Sequence, residues 1–213
     1  MQGHYDEEYF RWQRRIGEFG ATVDHFIKFG KFIKPTDRVI DFGCGGGYML
    51  KALVCADKIG IEINEVARRF ALENGIRTVK DAAEIEDNWA DVVISNNALE
   101  HTLCPFSELR KLFDKLKPGG KIVFVIPHEK RNPWKANDRN QHLYTWSPMC
   151  AGNLFTVAGF KVEQINSIAV WPPLFHHEIK KYFGVKIFHL IGKICTALSG
   201  KWHQIQVVAT KPK

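Results

Sequence analysis

The fold is decided by the stretch Arg38-Val39-Ile40-Asp41-Phe42-Gly43-Cys44-Gly45-Gly46-Gly47-Tyr48. It begins with a short apolar run containing β-branched residues, which is typical of a buried parallel strand. The run breaks into glycines and then resumes with helix-forming residues from Met49 to Leu53. Glycines there let the backbone approach a ligand closely, because no Cβ stands in the way. Strand, glycine turn and helix in this order predict the opening of a nucleotide-binding βαβ unit.

The spacing of the glycines indicates which kind of unit this is. The dinucleotide-binding pattern needs a glycine at its sixth position, where Tyr48 stands here. The pattern is instead Asp-x-Gly-x-Gly-x-Gly, starting at Asp41, and Glu62 closes a second apolar strand at 58–62. A carboxylate at that place can accept strong hydrogen bonds from both hydroxyls of a ribose. The alternative, a tight turn without a ligand, leaves the position of Glu62 unexplained.

Six segments together resemble the class I S-adenosylmethionine-dependent methyltransferases, and within them the small-molecule and quinone-type O-methyltransferases. They are Val39–Tyr48, Ile59–Glu62, Lys80–Ala82, Asp91–His101, Leu116–Lys121 and His142–Phe160. The resemblance extends over roughly residues 36 to 168. It implies an α/β fold: a Rossmann-like, doubly wound, mostly parallel seven-stranded sheet with an antiparallel last strand. An N-terminal helix and a helical insertion before the last strand would complete it.

The resemblance also implies that the cofactor is S-adenosyl-L-methionine. It places the cofactor against the glycine loop and the ends of the first four strands, at Asp41, Gly43, Gly45, Gly47, Glu62, Ile63, Asp81, Ala82 and Asn96. In this family the acid corresponding to Asp81 accepts the adenine amine, and the backbone at Asn96 holds the methionine part. The alternative for Asp81 is a helix N-cap.

Composition narrows the class of protein. The chain has 213 residues, of which 45% are hydrophobic and 25% charged, as in ordinary globular proteins. Its net charge of +7 comes from scattered rather than clustered Lys and Arg, so we do not expect nucleic acid as a partner. Five widely spaced cysteines and the absence of a signal-peptide pattern lead us to expect a cytoplasmic protein.

We expect one methyltransferase domain over 1–213, in four parts: an N-terminal helical cap (1–35), a cofactor-binding core (36–170), a helical insertion (171–202) and the last strand (203–213). The insertion carries an apolar stripe at helical spacing, flanked by lysines: Phe183, Ile187, Leu190, Ile191, Ile194 and Leu198. Such a helix can be a lid, a dimer face or a membrane-surface helix through 174–200, or it can pack on the edge of the sheet. Periodicity alone leaves these alternatives open.

Transfer of a methyl group to a hydroxyl needs a base, and three histidines stand where one would be needed. His101 follows the fourth strand, His128 follows the fifth, and His142 lies in a long polar loop. His101 has the alternative role of capping or orienting a helix. The acceptor we expect is a small molecule, a lipid-linked intermediate or a sugar, methylated at oxygen. Its cavity should be formed by the N-terminal helix, the Pro127–Trp146 loop and the Trp171–Trp202 insertion.

No metal is expected at this site. The quinone-type O-methyltransferases that the chain resembles carry Glu-x-x-Glu-His at a metal after the fourth strand. Here Asn97 replaces the first carboxylate of that motif, ahead of Glu100 and His101. Hard divalent ions prefer carboxylate oxygens, so the replacement counts against a metal. Adjacent His176 and His177 should point to different sides of a helix and do not suggest a second metal site.

Three competing functions are less favoured. Nucleic-acid amine methyltransferases of this fold carry an Asn/Asp-Pro-Pro-aromatic turn after the fourth strand, where this chain has Ser95-Asn96-Asn97-Ala98. An NAD-dependent dehydrogenase is disfavoured by Tyr48. A non-catalytic interaction module that kept the fold would have no need of the combination of Asp41, Glu62 and Asp81.

Overall fold

A seven-stranded sheet forms the centre of the protein in the computed structural model, which describes residues 7–128, 134–136, 138, 140–169, 174–199 and 203–213. Its strands are β1 (Arg38–Phe42), β2 (Asp57–Ile61), β3 (Thr78–Val79), β4 (Ala90–Asn96), β5 (Leu116–Pro127), β6 (Lys161–Ala169) and β7 (His203–Thr210). Their order is β3-β2-β1-β4-β5-β7-β6. β7 is antiparallel to both of its neighbours, and all other pairs are parallel. The predicted fold class is confirmed.

Six α-helices accompany the sheet in the described residues. They are α1 (Glu7–Asp24), α2 (Tyr48–Ala52), α3 (Glu65–Glu73), α4 (Pro105–Lys115), α5 (Pro148–Val157) and α6 (His176–Ser199). The expected N-terminal helix and the expected helical insertion are both present. Within the ranges given above, no helix is both long enough and apolar enough to cross a lipid bilayer.

Two apolar clusters cover the two faces of the sheet. Adjacent residues of β1 belong to different clusters: Val39 lies with Leu50 of α2, and Ile40 lies with Leu109 of α4. All of these side chains are buried. Because β1 is buried on both faces, its sequence contains a short apolar run and does not alternate between apolar and polar residues.

The crossovers from β1 and β4 leave toward opposite edges of the sheet, which opens a crevice between the carboxyl ends of these two strands. Phe42 and Ser95 are register partners there, and the Ser95 hydroxyl donates to the Phe42 carbonyl at 2.8 Å. Open α/β sheets bind their ligands at such a switch point. The glycine loop and the turn that follows β4 therefore face each other across it.

Two local details follow from close contacts. α1 runs through Gly17, where a Cβ would lie 3.1 Å from the Tyr48 ring. This glycine lets α1 approach α2 closely. β3 begins only at Thr78, since the Ile76 amide donates to the Ala71 carbonyl and so completes the end of α3.

α6 is bent at Gly184, whose φ of 74° and ψ of 175° are outside the helical region. Beyond the bend the buried residues are Phe188, Gly192 and Thr196. The apolar stripe predicted from the sequence faces outward instead, with Leu190 56% and Leu198 84% exposed. Periodicity identified that stripe correctly, but the buried side of the helix is a second stripe that contains small residues.

Candidate active site

The loop after β1 has a backbone that favours glycine at three positions. Gly43, Gly45 and Gly47 have φ values of 76°, 52° and 75°. A Cβ on Gly43 would also lie 2.3 Å from the Cβ of Ala98, in the turn after β4. The Gly43 amide donates to the Ile61 carbonyl at 2.8 Å, which fixes the loop against the end of β2.

Glu62 connects this loop to the start of α3. Its Oε2 accepts the Gly45 amide at 2.9 Å, and its Oε1 accepts the Asn64 amide at 2.8 Å. Burial raises the pKa of the Glu62 carboxyl, while the two backbone N–H groups oppose that shift by stabilising the carboxylate. The group predicted to bind a ribose is thus already oriented by two amides.

Asp41 lies beneath the loop, at the end of β1, with only 4% of its surface exposed. Burial, and secondarily the charge of Glu62, raise the pKa of Asp41 to about 7. The carboxyl group therefore changes its protonation state near neutral pH. A positively charged ligand beside it would favour the carboxylate.

Two adjoining cavities open at the switch point. The larger, of about 350 Å³, is lined by Asp41, the glycine loop and Asn96, among others. The smaller, of about 330 Å³, is lined by Glu62, Ile63 and Asp81. Four residues border both cavities: Gln13, Gly43, Asn97 and His101. The predicted adenosine contacts thus collect in the smaller cavity, and the predicted methionine contacts in the larger one.

Two residues assigned to the cofactor by the resemblance lie outside both linings. Gly47 precedes α2, and a Cβ there would lie 3.0 Å from Ile76 and 3.2 Å from Ala71. Its role in the structure is close packing of the loop on α3. Ala82 is 1% exposed and belongs to the apolar core.

Asp81 has the alternative role that was foreseen for it. Its Oδ1 accepts the Ala83 amide at 2.8 Å and caps a short 3₁₀ turn, while its Oδ2 accepts Lys111 Nζ at 2.7 Å. These hydrogen bonds lower the pKa of Asp81. The side chain also borders the smaller cavity, and each carboxylate oxygen can accept more than one hydrogen bond. Capping and ligand contact are therefore compatible.

Asn96 takes part in a buried polar network that the sequence did not reveal. Its Oδ1 accepts Lys28 Nζ at 2.9 Å, and its Nδ2 donates to Asp24 at 3.2 Å. Lys28 and Asp24 form an ion pair of 3.1 Å, and both are about 95% buried. The network joins the end of α1 and the following π-helical turn (His25–Phe29) to the end of β4.

Two of the three candidate bases come together. The rings of His101 and His142 lie 4.9 Å apart, edge to face, and both line the larger cavity. Fully buried Glu100 lies behind them, with Oε1 3.9 Å from His101 Nε2 and 4.0 Å from His142 Nε2. The Leu143 amide donates to the Glu100 carbonyl at 3.0 Å and holds the loop in place. His128 lines neither cavity.

The same three side chains could hold a metal ion. Potential ligand atoms of Glu100, His101 and His142 lie within 4.8 Å of one another, the one such group found among the described residues. One carboxylate and two imidazoles suit a divalent transition metal. No metal was expected from the sequence, because Asn97 replaces a carboxylate of the family motif. His142 offers a ligand from outside that motif. Asn97 itself accepts a hydrogen bond from Gln204 Nε2 at 2.9 Å.

The larger cavity is lined by two of the three parts that were expected to form the acceptor cavity. α1 supplies residues from Phe10 to Asp24, and the long loop supplies Asn140 and His142. The described part of the insertion, 174–199, lines neither cavity. α6 instead supports α1 from outside, where Lys180 donates to the Phe19 carbonyl at 2.7 Å. Trp171, Trp202, Asn137 and Arg139, also expected near the acceptor, lie outside the described residues.

The histidine pair at the start of α6 also differs from expectation. The rings of His176 and His177 were expected to point apart, but both lie against the ring of Phe19, at centroid distances of 5.3 and 4.3 Å. The bend that precedes the helix, at Phe175 with a φ of 53°, directs the first turn toward α1. These histidines belong to the contact between the two helices.

The fold and the site together define a class I S-adenosylmethionine-dependent methyltransferase. A family model described as a methyltransferase domain matches residues 6–165, and the chain belongs to that family. S-adenosylmethionine is its cofactor.

Individual relatives are more distant. The ubiquinone biosynthesis O-methyltransferase of Yersinia pestis (strain Pestoides F) is 32% identical over 109 residues, covering 46% of this chain and 45% of that protein. The chain therefore spans less than half the length of the curated relatives it matches.

Solved structures match over more of the chain. A chain in the complex of the Haloferax volcanii Trm112 methyltransferase activator with the putative methyltransferase has a TM-score of 0.71 and 18% identity, covering 99% of this chain and 97% of its own. A SAM-dependent methyltransferase from Archaeoglobus fulgidus has a TM-score of 0.59 and 18% identity, and the match covers 86% of this chain and 90% of that one. At such identities the likeness concerns the fold.

Proposed function

We propose that this protein transfers the methyl group of S-adenosylmethionine to a hydroxyl oxygen of a small or lipid-linked acceptor. The observation that carries the proposal is the cluster of Glu100, His101 and His142 in the wall of the larger cavity. A relative named for O-methylation in ubiquinone biosynthesis supports the choice of oxygen. No nucleic-acid partner is part of the proposal.

The cofactor spans both cavities in this proposal. The adenosine lies in the smaller cavity, with its ribose hydroxyls on Glu62 and its adenine amine near Asp81. The methionine part lies in the larger one, between Asp41, the Gly43 backbone and Asn96. His101 borders both cavities, so the sulfonium methyl would be near it.

The reaction is an in-line displacement. The acceptor oxygen attacks the methyl carbon, a C–O bond forms, and the C–S bond breaks with its electron pair going to sulfur. The hydroxyl proton goes to His101 or His142, which leaves S-adenosylhomocysteine and a methyl ether. The Glu100 carboxylate behind the rings stabilises the imidazolium that results. Alignment of the two reactants in the cleft supplies much of the remaining acceleration.

A panel of acceptors with methyl-labelled S-adenosylmethionine tests the choice of atom. Catechols and phenols present hydroxyls, and ethanolamine-type compounds present amines of comparable size. We expect label on the hydroxylated aromatic compounds and none on the amines. Labelling of amines alone would overturn the oxygen assignment. Calorimetry with S-adenosylhomocysteine and NAD, with binding expected only for the first, checks the cofactor separately.

A further inference from the structure

α6 has two stripes on nearly opposite sides, a buried one and an exposed apolar one. Phe188, Gly192 and Thr196 are buried, four residues apart. The second stripe contains Ile187, Leu190, Ile194 and Leu198, which are 43%, 56%, 51% and 84% exposed. At about 100° per residue, the centres of the two stripes lie roughly 150° apart. One stripe holds the helix to the protein, and the other, here named the outer stripe, faces away from it.

More exposed apolar side chains lie at the amino end of the same helix. Leu174 and Phe175 immediately precede it, and Tyr182 and Phe183 occupy its first part, each more than half exposed. Single exposed apolar residues are ordinary, but so many on one helix mark an interaction surface. No comparable row occurs on α3, whose exposed apolar residue is Leu72.

The charges around the outer stripe are of one sign. Lys180, Lys181, Lys186 and Lys193 occur within α6, and the sequence has no Asp or Glu from 179 to 199. Lys186 and Lys193 are seven residues apart and so lie on the same side of the helix, about 90° from the outer stripe. A lysine in that position can lay its apolar stem along the stripe and extend its ammonium group to a phosphate.

We propose that α6 lies in the headgroup layer of an anionic lipid bilayer, with the outer stripe in contact with the acyl chains. Apolar residues on one face with lysines beside them are what such a helix needs. A second copy of this chain suits the surface less well. A symmetric dimer through the outer stripe would bring the lysines of both copies together, and the one acid of each α6, Glu178 in its first turn, precedes the outer stripe.

The position of α6 gives the proposal a functional meaning. His177 and Lys180 contact Phe19 of α1, and α1 forms a wall of the larger cavity. A bilayer under α6 therefore lies beside the helix that covers the site, and it would deliver a lipid-linked acceptor there. The proposed membrane contact is inferred from the residues of α6 alone. The delivery of a lipid-linked acceptor rests in addition on the proposed function.

Vesicle flotation tests the contact, using vesicles of phosphatidylcholine alone and of phosphatidylcholine mixed with phosphatidylglycerol. We expect the protein to bind the anionic vesicles and to be released by high salt. The double variant Lys186→Gln/Lys193→Gln should bind about 25-fold more weakly, since each lysine near an anionic surface contributes about 1 kcal/mol, roughly fivefold. Leu190→Ser/Ile194→Ser should bind more weakly than wild type at every salt concentration at which wild type binds.

Matched controls come from α3, at the opposite end of the sheet. Leu72→Ser and Arg69→Gln change an exposed leucine and an exposed basic residue there and should leave vesicle binding unchanged. Equal vesicle binding by wild type and both α6 variants overturns the proposal. So does a concentration-dependent dimer, seen by light scattering, that Leu190→Ser/Ile194→Ser abolishes while no vesicles bind. Calorimetry with S-adenosylhomocysteine, without vesicles, shows whether each variant is folded and binds the cofactor. This result does not depend on vesicle binding.

Discussion

Glu62 accepts the amide of Gly45 at 2.9 Å, so the acid predicted to bind the cofactor's ribose also fastens the glycine loop. Such a carboxylate is oriented before the ligand arrives. Less conformational freedom is then lost on binding. The observed role of Glu62 as loop anchor and its proposed contact with the ligand can be separated by experiment.

Glu62→Gln should weaken binding of S-adenosylhomocysteine by about 1.5–3 kcal/mol, the range for hydrogen bonds to a charged group. Calorimetry measures this, with Glu65→Gln on the exposed side of α3 as the control. An analogue without ribose hydroxyls should bind wild type and Glu62→Gln nearly equally. If the variant loses the same affinity for that analogue, Glu62 acts through the loop and the ribose assignment is wrong.

His101→Ala or His142→Ala should lower turnover by about 10²–10⁴-fold if that residue is the base. Affinity for S-adenosylhomocysteine should stay near that of wild type, because neither ring is assigned a cofactor contact. His128→Ala is the internal control, since His128 lines neither cavity. Wild-type turnover in both cavity variants would rule out histidine base catalysis and leave alignment alone.

Asp81→Ala should reduce affinity for S-adenosylhomocysteine but have little effect on the inosine analogue, in which the exocyclic amine is replaced by a carbonyl. Lys111→Met provides the control, because it removes the 2.7 Å ion pair while leaving the carboxylate in place. The Lys111→Met substitution should lower the free energy of unfolding by less than about 1 kcal/mol, because an exposed ion pair contributes no more than that. Equal losses for both ligands in Asp81→Ala would show that capping is the residue's whole role.

The contribution of Asp41 to the stability of the unliganded protein should fall as pH rises from about 4 to about 7. Asp41 has a pKa of about 7 in the folded protein, against about 3.9 in an unfolded chain, so between these values the folded state holds the additional proton. Raising the pH through that interval therefore favours unfolding, and above about 7 this effect levels off. The shift corresponds to at most about 4 kcal/mol.

Denaturant titrations of wild type and Asp41→Asn across this interval isolate that contribution. The amide that replaces the carboxyl in Asp41→Asn does not titrate. The free energy of unfolding of Asp41→Asn should therefore rise relative to that of wild type as the pH increases. A difference that is constant with pH would mean that Asp41 ionises normally in the fold.

Local pattern was enough to predict the order of the elements and the position of the cofactor loop. Asp41 and Glu62 could be found because Asp41 lies at the end of β1 and Glu62 directly follows β2, and parallel strands end at the same edge. The contact between His142 and Glu100 could not, because it depends on the path of a long loop. The orientation of α6 was equally hidden, since Gly192 and Thr196 on its buried side carry no apolar signal.

The missing Cβ of Gly43 has a consequence for communication within the enzyme. Because a methyl group there would lie 2.3 Å from Ala98, the cofactor loop and the turn after β4 are in direct contact. Only two residues, Leu99 and Glu100, separate Ala98 from His101. We therefore expect a displacement of the loop on cofactor entry to reach His101 through this short turn, without a moving domain to relay it. In the proposed reaction, cofactor binding would then adjust the position of the candidate base.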